Sequence, residues 1–208
     1  MKLKPGATGI CLLIMLLMTA GGCSLFNAGQ QPKTRFYLLS SLASSGKGAQ
    51  PLAVLPHAAL GIGPVRLPPY LDRRNIVARS SGSEFELVEL SQWGEPLQDM
   101  VARVMADNLS ILLGTNRVIL FPWRSSIPVD YQVTIQAAQF DGLLGERVDL
   151  RAHWQVFTGD GKKLMDSGYS AFEDKAEDGS VDALVAAESR TVERLSRAVA
   201  EAIARLAK

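Results

Sequence analysis

The chain has 208 residues, 47% of them hydrophobic, with 22 basic and 21 acidic side chains and a formal net charge of +1. A near-neutral chain without a basic stripe lacks the electrostatic footprint of a nucleic-acid binder, so no nucleic-acid partner is expected. There are two cysteines, Cys11 and Cys23, which leaves almost no material for a disulfide framework or a thiolate metal site.

The N-terminus opens with Lys2 and Lys4, followed by an unbroken apolar run from Ile10 to Met18. That run can enter a bilayer but is shorter than the roughly 20 apolar residues of a spanning helix. Small residues follow, in Ala20-Gly21-Gly22-Cys23, where a signal peptidase needs them. The pattern resembles a bacterial lipobox, with Ala20 where leucine is commonest. On this reading residues 1–22 are a removed signal peptide and Cys23 is the lipidated first residue of the mature chain. A lipobox cysteine carries more than one acyl chain. Each buried CH2 contributes about 0.8 kcal/mol, and two chains anchor stably. Ser24 in place of aspartate implies, by the sorting convention of such lipoproteins, the outer membrane. The mature chain then has no free thiol, and its stability must come from a hydrophobic core.

Residues 23–33 are polar, with Gly29, Gln30, Gln31 and Pro32, and read as a lipidated flexible tether. A single domain is expected over 34–208. Its first strand is Thr34–Ser40, followed by a Ser/Gly/Ala-rich loop to Gln50. Leu60–Leu67 reads as a strand in which Gly61 and Gly63 mark a bulge or a close backbone approach. Pro68-Pro69 ends it, and Tyr70 to Arg74 is a connector. Asn75–Arg79 and Glu84–Glu89 form a hairpin around Ser80 to Ser83.

Glu95-Pro96 begins a long helix, since proline suits a helix start. Leu97, Val101, Val104, Met105, Asn108 or Leu109, and Leu112 recur at helical spacing, and Gly114 is a natural stop. Arg117–Phe121 is a short strand. Asp130–Phe140, Glu146–Phe157 and Lys163–Phe172 alternate apolar with polar, as an antiparallel meander with one wet face does. The last helix runs from about Ser180 to Leu206, with a stripe of Val181, Leu184, Val185, Val192, Leu195, Val199 and Ile203 that needs a partner surface. The expected class is α+β: a mixed or antiparallel sheet containing the meander, with both long helices on one face.

Catalytic patterns are absent. There is no Gly-x-Ser-x-Gly, no His-Glu-x-x-His and no phosphate-cradling glycine loop. His57 sits in a loop and His153 on the wet side of a strand. No enzyme activity, cofactor or metal site is expected. Bulky side chains in connectors are where partner contacts concentrate. Tyr70, Leu71, Asp72, Arg73 and Trp93 are therefore the partner-interface candidates, with local packing as the competing explanation for the apolar ones.

The order of segments resembles a known family. Its carriers are Arg35-Phe36-Tyr37-Leu38-Leu39, Gly61-Ile62-Gly63-Pro64-Val65-Arg66-Leu67-Pro68-Pro69-Tyr70-Leu71-Asp72-Arg73, Ile76-Val77-Ala78-Arg79, and Trp93-Gly94-Glu95-Pro96-Leu97. The chain is similar to the auxiliary lipoproteins of ABC-type transport systems, the PqiC-type lipoproteins of MCE systems. That resemblance implies a non-enzymatic, periplasmic, lipid-anchored subunit of an envelope lipid-transport machine. Its implied partners are an MCE-domain protein, whose conduit it docks, the associated permease, and further copies of itself. Two other classes stay open: a lipid carrier, which needs an enclosed apolar cavity, and a structural or assembly lipoprotein of the outer membrane.

The lipidation reading has a direct check in metabolic labelling with palmitate followed by membrane fractionation. Cys23→Ser should abolish the label and release the chain from membranes, while Cys11→Ser should leave both unchanged.

Overall fold

Alternation makes three long strands one-faced, and much of the remaining chain covers that face. The structure is a computed structural model describing residues 32–44, 49–124 and 126–208. The chain divides into Met1–Lys33 and Thr34–Lys208, and every element below belongs to the second unit. The expected signal peptide, Cys23 and the tether as far as Gln31 lie outside the described residues.

In chain order the elements are β1 (Arg35–Tyr37), β2 (Leu60–Arg66), a single 3-10 turn (Pro69–Leu71), β3 (Asn75–Ser81), β4 (Glu84–Trp93), α1 (Leu97–Leu112), β5 (Val118–Leu120), β6 (Tyr131–Gly142), β7 (Arg147–Thr158), β8 (Leu164–Lys175) and α2 (Val181–Leu206). They form the α+β architecture expected, with one addition. The strands make two sheets, a five-stranded one ordered β5-β2-β6-β7-β8 and a three-stranded one ordered β1-β4-β3. In the larger sheet β2 runs parallel to both β5 and β6, and β6-β7-β8 is the antiparallel meander. In the smaller, β1 is parallel to β4, which pairs antiparallel with β3.

Val148, Leu150, Ala152, Trp154 and Val156 of β7 are all buried. They share one side of the strand by the two-residue period. α2 packs along β7 and β8, α1 packs on β2 and β5, and the two helices touch. Leu184, Val192, Leu195, Val199 and Ile203 are the buried stripe of α2. A polar link runs through this apolar layer: the wholly buried Asn108 of α1 donates to Ser196 Oγ of α2 at 3.2 Å and accepts from the Leu42 N–H at 2.8 Å. A buried amide is tolerated because it is satisfied on both sides.

The helix ends follow local chemistry. Pro96 sits one residue earlier than expected, at the N-cap of α1. Gly114, at φ +57, closes the helix, with the Thr115 N–H donating to the Ser110 carbonyl at 3.1 Å, the reversal that favours glycine. Ser180 caps α2 by accepting from the Ala183 N–H at 3.1 Å. Asp182 lies in the first turn and Arg205 in the last, matching the helix dipole.

Two aromatic rings explain two glycines. Trp123 lies against Gly61, where an added Cβ would meet the ring at 2.7 Å, and the β2–β6 register shifts between Ile62 and Val65. Trp154 lies across Gly168, its cross-strand neighbour, and its indole N–H donates to Ser170 Oγ at 3.1 Å. A Cβ on Gly168 would come within 2.3 Å of that ring. Gly168→Ala therefore forces the indole off its seat. The expected loss is about 1–3 kcal/mol of unfolding free energy, measurable by urea titration.

Candidate functional site

The connector after β2 and the approach to α1 are far apart in sequence, yet they form the walls of one groove. Its volume is about 580 Å³. Leu67, Pro68, Pro69, Leu71, Trp93 and Leu97 supply the apolar surface, and Asp72, Arg73, Arg74, Glu95 and Asp99 supply charge. Exposed Phe36, from β1, stands at its edge. The Trp93 N–H donates to the Arg74 carbonyl at 2.7 Å, and the Gly94 N–H donates to the Tyr37 carbonyl at 2.9 Å. These main-chain bonds hold the two walls and β1 together. Glu95 is ion-paired with Arg103 in the second turn of α1.

Four of the five candidate residues, Leu71, Asp72, Arg73 and Trp93, line this groove. For the two apolar ones the packing explanation holds. Leu71 is 4% exposed and Trp93 is 5% exposed, both within the main core cluster. The turn at Pro69–Leu71 rolls Leu71 inward, and β4 delivers Trp93 to the core side. Only Asp72 and Arg73 stand exposed.

Tyr70 points elsewhere. It is half-buried, its ring stacks on Phe85 with centroids 4.4 Å apart, and its hydroxyl donates to Asp141 Oδ2. Asp141, near the end of β6, is 0% exposed. The Arg79 guanidinium grips it, donating from Nη2 to Oδ1 and Oδ2 at 2.9 and 3.0 Å and from Nε at 3.0 Å. Arg79 also lies 4.9 Å over the Phe85 ring, and Gln139 donates to Asp141 Oδ1 at 3.1 Å. Burial first, and then the bond to Asp141, raise the Tyr70 hydroxyl above its ordinary value. Tyr70 is thus a donor that keeps its proton.

Nothing in the alternation of β6 announces this cluster. The register slips between Ala137 and Gln139, a bulge that reverses which residues face inward. Phe140 then becomes core and Asp141 lands against the hairpin. Asp149 is directly opposite Asp141 and is also buried, with Arg147 donating to its Oδ2 at 3.2 Å. Among the described residues, no group of three or more His, Cys, Asp or Glu is placed to hold a metal ion. Nor is any helix there long and apolar enough to cross a membrane.

With this geometry in hand, comparison with known proteins decides the family. A family model described as the ABC-type transport auxiliary lipoprotein component matches residues 37–200. The chain belongs to that family. The family match takes in β2, the connector, β4 and α1, so it includes both walls of the groove. Two crystal structures are similar to the family fold seen here. One, of an uncharacterized protein, is 16% identical with a TM-score of 0.63, covering 83% of this chain and 99% of that one. The other, protein XCC0632 from Xanthomonas campestris, is 12% identical with a TM-score of 0.64, covering 80% of this chain and 92% of that one. At these identities the likeness is one of fold. No curated protein matches the chain.

One buried acid that feels the charge of Asp141 makes a pH prediction. Glu188 of α2 is 2% exposed, and its Oε2 has no hydrogen-bond partner among the described residues. Burial first, then the charge of Asp141, raise its carboxyl from an ordinary 4.5 to about 8. The native state therefore holds this proton more tightly than the unfolded chain. Its stabilising contribution is complete below pH 4.5 and is lost as pH rises through about 8. Glu188→Gln, which mimics the protonated acid, should flatten the decline of the urea midpoint across that window; equal slopes in both proteins would refute it.

Proposed function

We propose that this chain is a non-enzymatic, lipid-anchored periplasmic subunit of an MCE-type inter-membrane lipid transport system, docking the transport conduit at the outer membrane. Family membership supports the transport role. The observation that carries the docking role is the groove. Pro69, Leu71, Asp72 and Arg73 line it from one side and Trp93-Gly94-Glu95-Pro96-Leu97 from the other. They supply an apolar floor with charges of both signs on the lip, the composition of a protein-docking surface with a hydrophobic centre and a polar rim. The carrier reading calls for an enclosed apolar cavity, whereas this hollow has exposed Asp72, Arg73 and Arg74 at its mouth.

The division between floor and lip decides how docking should be tested. Alanine at Leu71 or Trp93 removes core packing, and unfolding would imitate lost docking. Charge reversal at the exposed pair, Asp72→Arg with Arg73→Glu, leaves the core intact. After crosslinking in membranes, that variant should recover the MCE-domain protein at least tenfold less than the parent chain, with an unchanged thermal midpoint. Equal recovery would rule out the groove as the docking site.

A further inference from the structure

The larger sheet ends at β8, which has a paired neighbour on one side only. Its register with β7 is regular from Arg147 opposite Lys175 to Val156 opposite Asp166. The Ala176 N–H donates to the Glu146 carbonyl at 3.0 Å, which fixes the phase of the ladder. Residues 168, 170, 172 and 174 therefore turn their main-chain groups toward β7, and residues 167, 169, 171, 173 and 175 turn theirs away. Side chains guard both ends of that outer edge. Arg194 of α2 donates to the Glu173 carbonyl at 2.7 Å, and Arg190 to the Lys175 carbonyl at 2.8 Å. At the other end the Ser167 N–H donates to Asp166 Oδ1 at 2.8 Å, and Arg205 holds the second oxygen of that carboxylate at 3.1 Å.

Between those guards the edge is bare. The outward N–H and C=O groups of Tyr169 and Ala171 have no partner among the described residues, and both residues are exposed. Natural sheets blunt an open edge with charge, proline or a bulge. From 167 to 172 β8 reads Ser-Gly-Tyr-Ser-Ala-Phe and has none of these. The charges around this gap are one-signed. Arg151 of β7 is exposed and stands opposite Ala171, whose small side chain leaves the way to the edge clear. On the helix side Arg194 lies 4.8 Å over the Phe172 ring. Neither has an ion-pair partner among the described residues, whereas Arg190, Arg197 and Arg205 each have one. On the sheet face away from the helices a hollow of about 680 Å³ opens beside the edge. Register sets Arg66, Gln136, His153 and Tyr169 in one row across it, and no carboxylate lines it. The acids of β8 itself are engaged elsewhere: Asp166 with Arg205, Asp174 with Arg190, and Glu173 in the field of Arg147.

We infer that β8 takes up an extended acidic segment of a partner protein as one more strand at the edge of the larger sheet. Main-chain bonds to Tyr169 and Ala171 supply the affinity, and the guarded ends limit the guest to the gap between them. Successive side chains of a strand point to opposite faces. The guest therefore meets Arg151 on one face and Arg194 on the other, and acidic residues suit both. Charge complementarity of this kind selects the partner and its register. The hollow and the docking groove share no lining residue, so the inference stands apart from the docking reading.

The test uses the mature lipidated chain in detergent and a fluorescein-labelled peptide of repeated Thr-Glu-Glu-Val, with Thr-Lys-Lys-Val as its counterpart. Fluorescence anisotropy should show saturable binding of the glutamate peptide and weaker binding of the lysine one. Hydrogen exchange should show the Tyr169 and Ala171 amides protected when the glutamate peptide is bound. Ala171→Pro removes an outward donor and leaves the β7–β8 ladder intact. It should weaken binding roughly tenfold, through the lost bond and the ring in its place. Arg151→Glu, at an exposed position, should narrow the preference for glutamate over lysine by roughly tenfold, and this result stands even where the proline variant fails to fold. Circular dichroism checks the fold of each variant. Absence of binding, or a preference unmoved by Arg151→Glu, would overturn the inference. So would equal binding of a glutamate peptide N-methylated at alternate residues, which keeps the charges but cannot complete a ladder. A change in assembly mass caused by Ala171→Pro would place a second copy on this edge and likewise count against it.

Discussion

A single buried carboxylate holds the two sheets in relation to one another. Asp141 has no access to water, and an ion in such a place is tolerated only with a partner of excellent geometry. Arg79 supplies that partner from β3 and Tyr70 adds a donor from the 3-10 turn. Moving the hairpin off the end of β6 would leave a charge stranded in the interior. The turn is bound by the same logic, and with it one wall of the groove. Phe85 covers the cluster by stacking on Tyr70 beneath the Arg79 guanidinium. The polar contact is thereby shielded from the water that would weaken it.

That constraint explains why adjacent residues have different duties. Tyr70 and Leu71 follow one another, but a 3-10 turn separates successive side chains by about a third of a circle. One reaches the Asp141 cluster and the other enters the core, while Asp72 and Arg73 are left on the lip. Trp93 reaches the same hollow from β4, held by its main-chain bond to Arg74. The groove is thus a seam between two pieces of scaffold. Its floor contributes to stability and its lip remains available to a partner.

The two faces of the larger sheet show the same economy. Its inner face is saturated with Val, Leu, Ala and Trp against two helices, and Asn108 is tolerated there because Ser196 and the Leu42 amide satisfy it. Its outer face keeps a row of polar and aromatic side chains, and Arg66 and Arg151 there have no ion-pair partner among the described residues. Gly168 serves the inner face. By giving up a side chain it lets the Trp154 indole lie across β8 and reach Ser170.

Period and composition by themselves determined the α+β class, the three meander strands, both long helices and their ends. These are local properties: spacing of apolar residues, a proline before α1, a glycine after it, a serine before α2. They also brought the two groove-forming segments forward, because bulky residues beside prolines stood out from any period. Exposure was decided elsewhere. Leu71 and Trp93 carry no local mark that separates core from surface, since burial depends on what the rest of the chain places above them. Asp141 and Arg79 could not be paired from sequence either. A bulge one turn of the pleat earlier reverses the facing of β6, and the two residues are 62 positions apart. The split into two sheets has the same origin. Strand pairing is a long-range choice, which no residue's own preference makes.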